Sequence, residues 1–341
     1  MKFHHAYRTS IALTATIAAL AACSGSSGGA SGGGGLEKTN IVVDAFPAID
    51  SAGLFIAQQE GLFKAQGLNV TIKLATTSQA AINGQLAGTY DITSADYVTY
   101  VDNVLLQKAP LRIVDESSFL QPNVLTLLVK SGSMIQSVSQ LKHQVVSVNA
   151  PNDIGTLLVD SLLTDNGVPL KSVKFNNNVA FPTVGSELAS GAVDAAFAPE
   201  PFVSLDEMSA GTQELADLDQ GGTSGFPIQG VAVTQSWARA NPNTLAAFER
   251  AYAQGQEVAD TDRAAVERAI EAPPLKVSPA IAAVIALPDF PTAIDPTRLQ
   301  RVPSDMIQFG FLPQKDASFN VSSISYAGNL ASTVGSGAAG G

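Results

Sequence analysis

One cysteine, Cys23, stands among 341 residues, so no intramolecular disulfide and no cysteine-built zinc or iron–sulfur site can form. Histidine is nearly as scarce: three residues, two of them at His4 and His5, leave too few for a histidine metal site. Charged residues make up only 14% of the chain, and the shortage is greatest in one sign, with 19 Lys and Arg against 30 Asp and Glu and a formal net charge of −11. A nucleic-acid binder needs clustered basic side chains to neutralise phosphates, so that class is excluded. No apolar run reaches the ~18 residues that a spanning helix needs. Apolar material is nevertheless ample, at 45% of residues, which rules out disorder over most of the length. At roughly 150 residues per domain, the length suggests two domains.

The N-terminus reads as a targeting segment. Met1 to Ser10 carries Lys2 and Arg8 and no acid, and Ile11 to Ala22 is a run of apolar or small residues, the n-region and short h-region of a secretory signal. It ends Leu20-Ala21-Ala22-Cys23, which resembles a bacterial lipobox. That resemblance implies a lipoprotein signal peptide over 1–22, cleavage before Cys23 and lipidation of its thiol. Two or more acyl chains on one residue anchor a protein stably, where a single chain does not. Ser24 to Gly35 contains only Ser, Gly and one Ala, so residues 23–38 read as a flexible tether. Residues 331–341 are similar and read as a disordered tail. The expected location is the outer face of the cell membrane, lipid-anchored and extracytoplasmic.

The remainder alternates strand and helix. Asn40–Ala45, Leu68–Leu74, Asp91–Thr93, Leu111–Glu116, Val124–Lys130, Val145–Asn149, Val173–Asn176, Val193–Ala198 and Gly230–Thr234 read as strands. Ser51–Glu60, Ser78–Leu86, Asp96–Gln107, Ile154–Asp165, Pro182–Ala189 and Phe202–Ala210 read as helices, several closed by a glycine such as Gly61, Gly88 or Gly167. Longer helices are expected over Asn243–Ala272 and Pro296–Phe309, with a short one at Ala280–Ala286. Such alternation predicts an α/β protein with parallel sheets covered by helices. A weak repeat supports two lobes of like construction: Gln85-Leu86-Ala87-Gly88-Thr89-Tyr90-Asp91 is echoed by Glu187-Leu188-Ala189-Ser190-Gly191-Ala192-Val193-Asp194. Two such lobes present strand C-termini and helix N-termini to one another across a cleft, a usual place for a small ligand.

The segment Ala57-Gln58-Gln59-Glu60-Gly61-Leu62-Phe63-Lys64-Ala65-Gln66-Gly67-Leu68-Asn69-Val70 resembles the A-x-x-x-G-L-F-x-x-x-G-L-x-V signature of the nitrate, sulfonate and taurine solute-binding proteins of ABC transporters. That family is similar in fold to the fungal thiamine-pyrimidine synthases. Leu86-Ala87-Gly88 with Asp91, Ala198-Pro199-Glu200-Pro201, and Asn241-Pro242 before a long helix add to the resemblance, which covers Thr39 to Phe311. It implies a two-lobed type II periplasmic-binding-protein fold, with lobe I over 39–120 and 227–330, lobe II over 121–226, and crossovers near Phe119–Val124 and Gly222–Gly230. It also implies a monomer that captures a small molecule, delivers it to a transporter permease, and needs no cofactor and no metal.

Carried over residue by residue, the resemblance places Phe46, Ser51, Thr76, Thr77, Ser78, Ser94, Asp96, Phe119, Asn152, Gly155, Thr156 and Glu200 in the ligand cleft. Any single Ser or Thr among them can instead cap its own helix. Glu200, between Pro199 and Pro201, can cap the following helix or accept a hydrogen bond from the ligand. These loops carry no Lys or Arg, so a sulfonate or nitrate would rest on helix N-termini and hydroxyls alone, beside Asp96, Asp153 and Glu200. A neutral or cationic heterocycle of pyrimidine type fits them slightly better than an anion. Enzyme chemistry is not expected: the fungal synthases use histidine and a cysteine cluster, and His143, before a strand, reads as a surface residue. A solute sensor that feeds no transporter remains the alternative, with a synthase-like enzyme behind it.

Lipidation requires the Cys23 thiol. Cys23→Ala should move the protein from the membrane fraction to soluble material, and a variant that stays membrane-bound after a high-salt wash would refute the lipobox.

Overall fold

A computed structural model describes residues Gly35 to Tyr326. The expected signal peptide, Cys23, most of the tether and the tail from 331 lie outside the described residues. Ten strands form two five-stranded sheets: β1 (Asn40–Ala45), β2 (Asn69–Leu74), β3 (Ile92–Asp96), β4 (Leu111–Phe119), β5 (Leu125–Lys130), β6 (Val145–Ser147), β7 (Lys174–Asn176), β8 (Ala195–Pro199), β9 (Thr212–Asp217) and β10 (Pro227–Thr234). The first sheet has the order β2-β1-β3-β10-β4 and the second β7-β6-β8-β5-β9.

The expectation of parallel sheets is corrected. In the first sheet β1 is parallel to β2 and β3, but β10 runs antiparallel to β3 and β4. In the second, β6 is parallel to β7 and β8, but β5 runs antiparallel to β8 and β9. Each sheet is four strands of one direction, with the strand that arrives from the other lobe inserted antiparallel between the third and the fourth. A strand entering across a boundary carries no crossover helix, and the parallel arrangement is the one that requires such a helix.

The internal repeat has a physical meaning in this layout. Asp91, before β3, receives the Val42 N–H of β1 on Oδ2 at 2.8 Å and donates its own N–H to the Val42 carbonyl. Asp194, before β8, does the same with Val145 of β6, its Oδ2 again at 2.8 Å. The two aspartates occupy equivalent joints, each pinning the strand it opens to the parallel strand beside it. Gly88 and Gly191 sit just before them at φ +78° and +74°, a backbone region where a side chain is strained.

The chain passes from β4 to β5 through Leu120–Val124 and returns from β9 to β10 through Leu218–Phe226. The return lies earlier than Gly222–Gly230, because Pro227 to Gly230 already belong to β10. The two crossings are tied together, Leu120 N–H donating to the Phe226 carbonyl at 2.8 Å. Arg301, on the helix Arg301–Gln308, grips the return crossing by donating to the carbonyls of Gly225 (3.0 Å) and Gly222 (2.8 Å).

Other element boundaries also shift. The helix expected over Asn243–Ala272 is two, Pro242–Thr261 and Arg263–Glu271, because Asp262 leaves helical geometry and caps the second by accepting the Ala265 N–H at 3.1 Å. Similarly, Pro296–Phe309 divides at Gln300 into Pro296–Leu299 and Arg301–Gln308. The edge strand β9 has only a weak alternating pattern and escapes the sequence reading.

The helix Ala52–Gln59 crosses Pro242–Thr261 at a glycine pair. A Cβ on Gly255 would collide with the Gly53 carbonyl oxygen, and one on Gly53 would collide with the Gln256 amide. The close approach lets Gln256 Nε2 donate to the carbonyls of Glu116 (3.2 Å), Ser117 (2.7 Å) and Pro291 (3.1 Å), fastening the helix to the end of β4. Gly255→Ala should cost about 1–3 kcal/mol by forcing the helices apart. Urea denaturation would measure it, and an unchanged midpoint would show that the helices can separate freely.

Candidate functional site

The parallel strands of both sheets end at one cleft, where β10 and β5 also begin. There the lobes enclose a cavity of about 380 Å³, mouth included. The part wide enough for solvent would hold about two water molecules, so the lobes stand nearly closed. Phe46, Asp50, Ser78, Asp96, Ile228 and Gln229 line it from the first lobe, and Leu125, Asn149, Ile154, Phe181, Phe197 and Pro199 from the second. Outside it lies a polar groove of about 1120 Å³ bounded by Thr77, Asp102, Asn152, Asp153 and several amides, sharing Ser78 and Asn149 with the cavity.

Three of the expected residues, Phe46, Ser78 and Asp96, line the cavity, and Thr77, Ser78 and Asn152 border the groove. Thr77 caps the helix Ser78–Leu86 by accepting the Ala80 N–H at 3.1 Å. Ser51 is buried, its hydroxyl donating to the Phe46 carbonyl at 2.8 Å. Thr76 is exposed and lines neither space. Ser94, expected on a loop, lies inside β3 and accepts from Gln229 Nε2. Phe119, likewise expected on a loop, closes β4 and lies under the Arg298 guanidinium, 4.1 Å from its ring centre. Gly155 faces the Phe197 ring so closely that an added Cβ would come within 2.7 Å, and its neighbour Thr156 turns its hydroxyl to the Ala150 carbonyl at 3.1 Å. His143 stands exposed in a turn.

Glu200 holds the lobes together rather than facing the cavity. One carboxylate oxygen accepts the Ser204 N–H at 3.1 Å, capping its helix. The other accepts the Ser204 hydroxyl at 2.7 Å and the Ala286 N–H, from the first lobe, at 3.0 Å. Its backbone carbonyl accepts the Ile49 N–H of the first lobe at 3.1 Å. The aromatic wall also spans the cleft: Phe46 and Phe181 meet edge to face at 5.9 Å, and Phe181 meets Phe197 at 5.9 Å and Phe202 at 5.6 Å.

Missed in the sequence were Asp50, Gln229, Asn149, Phe197 and Pro199 as lining residues. Asp50 sits in the short turn Ile49–Ser51, and Phe197, Pro199 and Gln229 lie inside strands, where side-chain alternation alone does not tell which residue meets the other lobe.

The electrostatics are one-sided. Asp50 is 3% exposed and accepts the Ser118 hydroxyl at 2.6 Å; burial raises its carboxyl to about 6. Asp96 caps the helix Tyr97–Leu105, accepting the Thr99 N–H (2.8 Å) and hydroxyl (2.7 Å), yet its burial still pushes its pKa upward. Asp153 caps Ile154–Asp165 through the Thr156 N–H at 3.1 Å and is raised by burial and then by the charge of Asp96 across the cleft. Behind the cleft, in β1, no donor reaches the Asp44 carboxyl in good geometry. The nearby N–H groups of Ala75 and Ser94 only partly offset its burial, which lifts it to about 8.

These features define a type II periplasmic-binding-protein fold with a ligand cleft between its lobes. The family model described as NMT1/THI5 like matches residues 48–263, and the chain belongs to that family. No curated protein matches the sequence. Among solved structures, the alkanesulfonate-binding protein SsuA from Xanthomonas axonopodis pv. citri, bound to MOPS, is 16% identical with a TM-score of 0.72, over 86% of this chain and 99% of its own. The periplasmic nitrate-binding protein NrtA from Synechocystis PCC 6803 is 13% identical with a TM-score of 0.73, over 86% and 87%. The desulfurization enzyme DSZB is 14% identical with a TM-score of 0.61, over 81% and 94%. Among the described residues, no helix is long and apolar enough to cross a membrane.

A carboxyl whose pKa is raised by folding keeps its proton in the native state after the unfolded chain, with carboxyls near about 4, has released it. This contribution to stability is full below about pH 4 and is lost as pH rises through about 6 for Asp50 and about 8 for Asp44. The melting temperature should therefore fall between pH 5 and pH 8 in calorimetry. Asp44→Asn, which cannot ionise, should melt above the parent at pH 8 and show a flatter profile. A melting temperature that climbs over that window would show the carboxyls to be charged in the native state.

Proposed function

We propose that this protein is the extracytoplasmic solute-binding component of an ABC importer, anchored through lipid on Cys23 and delivering its solute to a membrane permease as a monomer. The observation that carries the reading is the cavity walled by both lobes and nearly closed, with the lobes joined by two short crossings. A solute can enter such a cavity only if the lobes part, and contacts made to both lobes then favour closure. The membership in the NMT1/THI5-like family and the likeness to sulfonate- and nitrate-binding proteins support it. The ligand class on this reading is a pyrimidine-type heterocycle or a sulfonate- or nitrate-like anion.

We read the cavity as a binding site and not a catalytic one. Its polar side chains are two carboxyls, a serine and two amides, with no histidine or lysine to act as a base beside Ser78 and no thiol. Among the described residues no three potential metal-ligating side chains cluster.

The test is a thermal-shift screen of small solutes combined with small-angle scattering. A true ligand at about 100 times its dissociation constant should stabilise the protein by ~2.7 kcal/mol and lower the radius of gyration. A screen of pyrimidines, sulfonates, nitrate and amines without a hit would leave the reading unsupported, and turnover of a hit would replace it with an enzyme.

A further inference from the structure

Resting on that reading, we propose that the solute is a cation: a protonated nitrogen group, of amine or amidine type, on a small apolar or aromatic body. Both charged side chains that line the cavity, Asp50 and Asp96, are acids, and the groove outside adds Asp102 and Asp153. No Lys, Arg or His lines either space. Asp50 and Asp96 are 3% and 6% exposed, and their hydrogen-bond partners are neutral hydroxyls and N–H groups. Enclosed carboxylates of this kind lack a counter-charge, and a cationic solute supplies one.

The place an anion would take is already occupied. The N-terminus of the helix Ile154–Asp165 points into the cleft with its free N–H groups, the usual seat of a sulfonate or phosphate. Here Asp153 caps it through the Thr156 N–H, and Asp96 comes close enough from the first lobe for its charge to act on Asp153. The chain's own acids stand at the helix terminus, and an anionic solute would meet them at close range.

A second, independent feature points the same way. Gln229 is 3% exposed and lines the cavity, its amide nitrogen donating to Ser94. The opposite wall is Phe46, Phe181 and Phe197, whose ring faces attract a cation and cover an apolar body.

The experiment titrates the full-length protein at pH 7.5 with three probes of one shape, benzamidinium, benzamide and benzenesulfonate, by calorimetry. Benzamidinium should bind at least about tenfold tighter than benzamide, with no binding of benzenesulfonate. Asp50→Asn and Asp96→Asn should each weaken benzamidinium about tenfold or more. Asp165→Asn, exposed at the far end of the helix Ile154–Asp165 and lining neither space, should leave it within about twofold, and ligand-free melting would confirm that each variant folds. The wild-type order of the three probes needs no variant at all. Benzenesulfonate or benzamide binding as tightly as benzamidinium would overturn the assignment, as would unchanged affinity in both aspartate variants. If none of the three binds while the solute screen yields a neutral or anionic ligand, the cation assignment falls and the solute-binding reading stands. If no solute of any charge binds, both fall.

Discussion

A carboxylate shut away from water must keep its proton, find a counter-charge or hold the site open, and this cleft encloses two of them with a third at its edge. Asp50, Asp96 and Asp153 reach the boundary between the lobes from different elements, and none has a basic partner. In a medium of low polarizability such a set is tolerable only when it is protonated or joined to a cation. That condition bears on how readily the lobes close and on what sits at the Ile154–Asp165 helix terminus. The shared fold with sulfonate- and nitrate-binding proteins does not conflict with it, because the fold fixes where a ligand sits and the side chains fix its charge.

The rest of the molecule serves to bring those groups together reproducibly. Each sheet has three parallel strands pinned at an aspartate, Asp91 or Asp194, and a strand from across the boundary inserted between them and the edge strand. Arg301 and the bond between Leu120 and Phe226 hold the paired crossings, and Arg298 ties the C-terminal region to β4 through Glu116 at 2.9 Å. Across the cleft the lobes touch through Glu200 and the Phe46–Phe181 contact. The bonds from Glu200 to Ala286 and Ile49 act on the closed form alone, since those partners belong to the other lobe, while its cap on Ser204 lies within its own.

What could be read in the sequence was whatever the chain determines locally. Gly61, Gly67, Gly88, Gly167 and Gly191 all take positive φ, as expected of residues that stop a helix or turn into a strand. The repeat was legible because each of its aspartates bonds the strand beside the one that follows it. The cavity was only half legible. Phe46, Ser78 and Asp96 follow or end strands, and a loop reading finds them. Gln229 and Phe197 lie within strands, and Asp50 in a turn. Their approach to the ligand depends on how one lobe sits against the other, which no stretch of sequence records. The antiparallel strands were misjudged for the same reason: β5 and β10 take their direction from neighbours far away in the chain, Leu125 pairing with Pro199 and Gln229 with Asp96.

The insertion of β10 between β3 and β4 also sets an order of assembly. Until residues 227–234 exist, the first sheet has no partner for the inner edges of β3 and β4. The second sheet, by contrast, is complete once β9 ends at Asp217, and it is drawn from one uninterrupted stretch. A chain emerging from its N-terminus can therefore finish the second lobe while the first is still an unfinished edge. The N-terminal half of the first lobe must wait through nearly the whole of the second lobe's synthesis with two strand edges unpaired. During that interval it is the part of the molecule most exposed to mispairing and to attack by proteases, and the part for which a folding helper would matter.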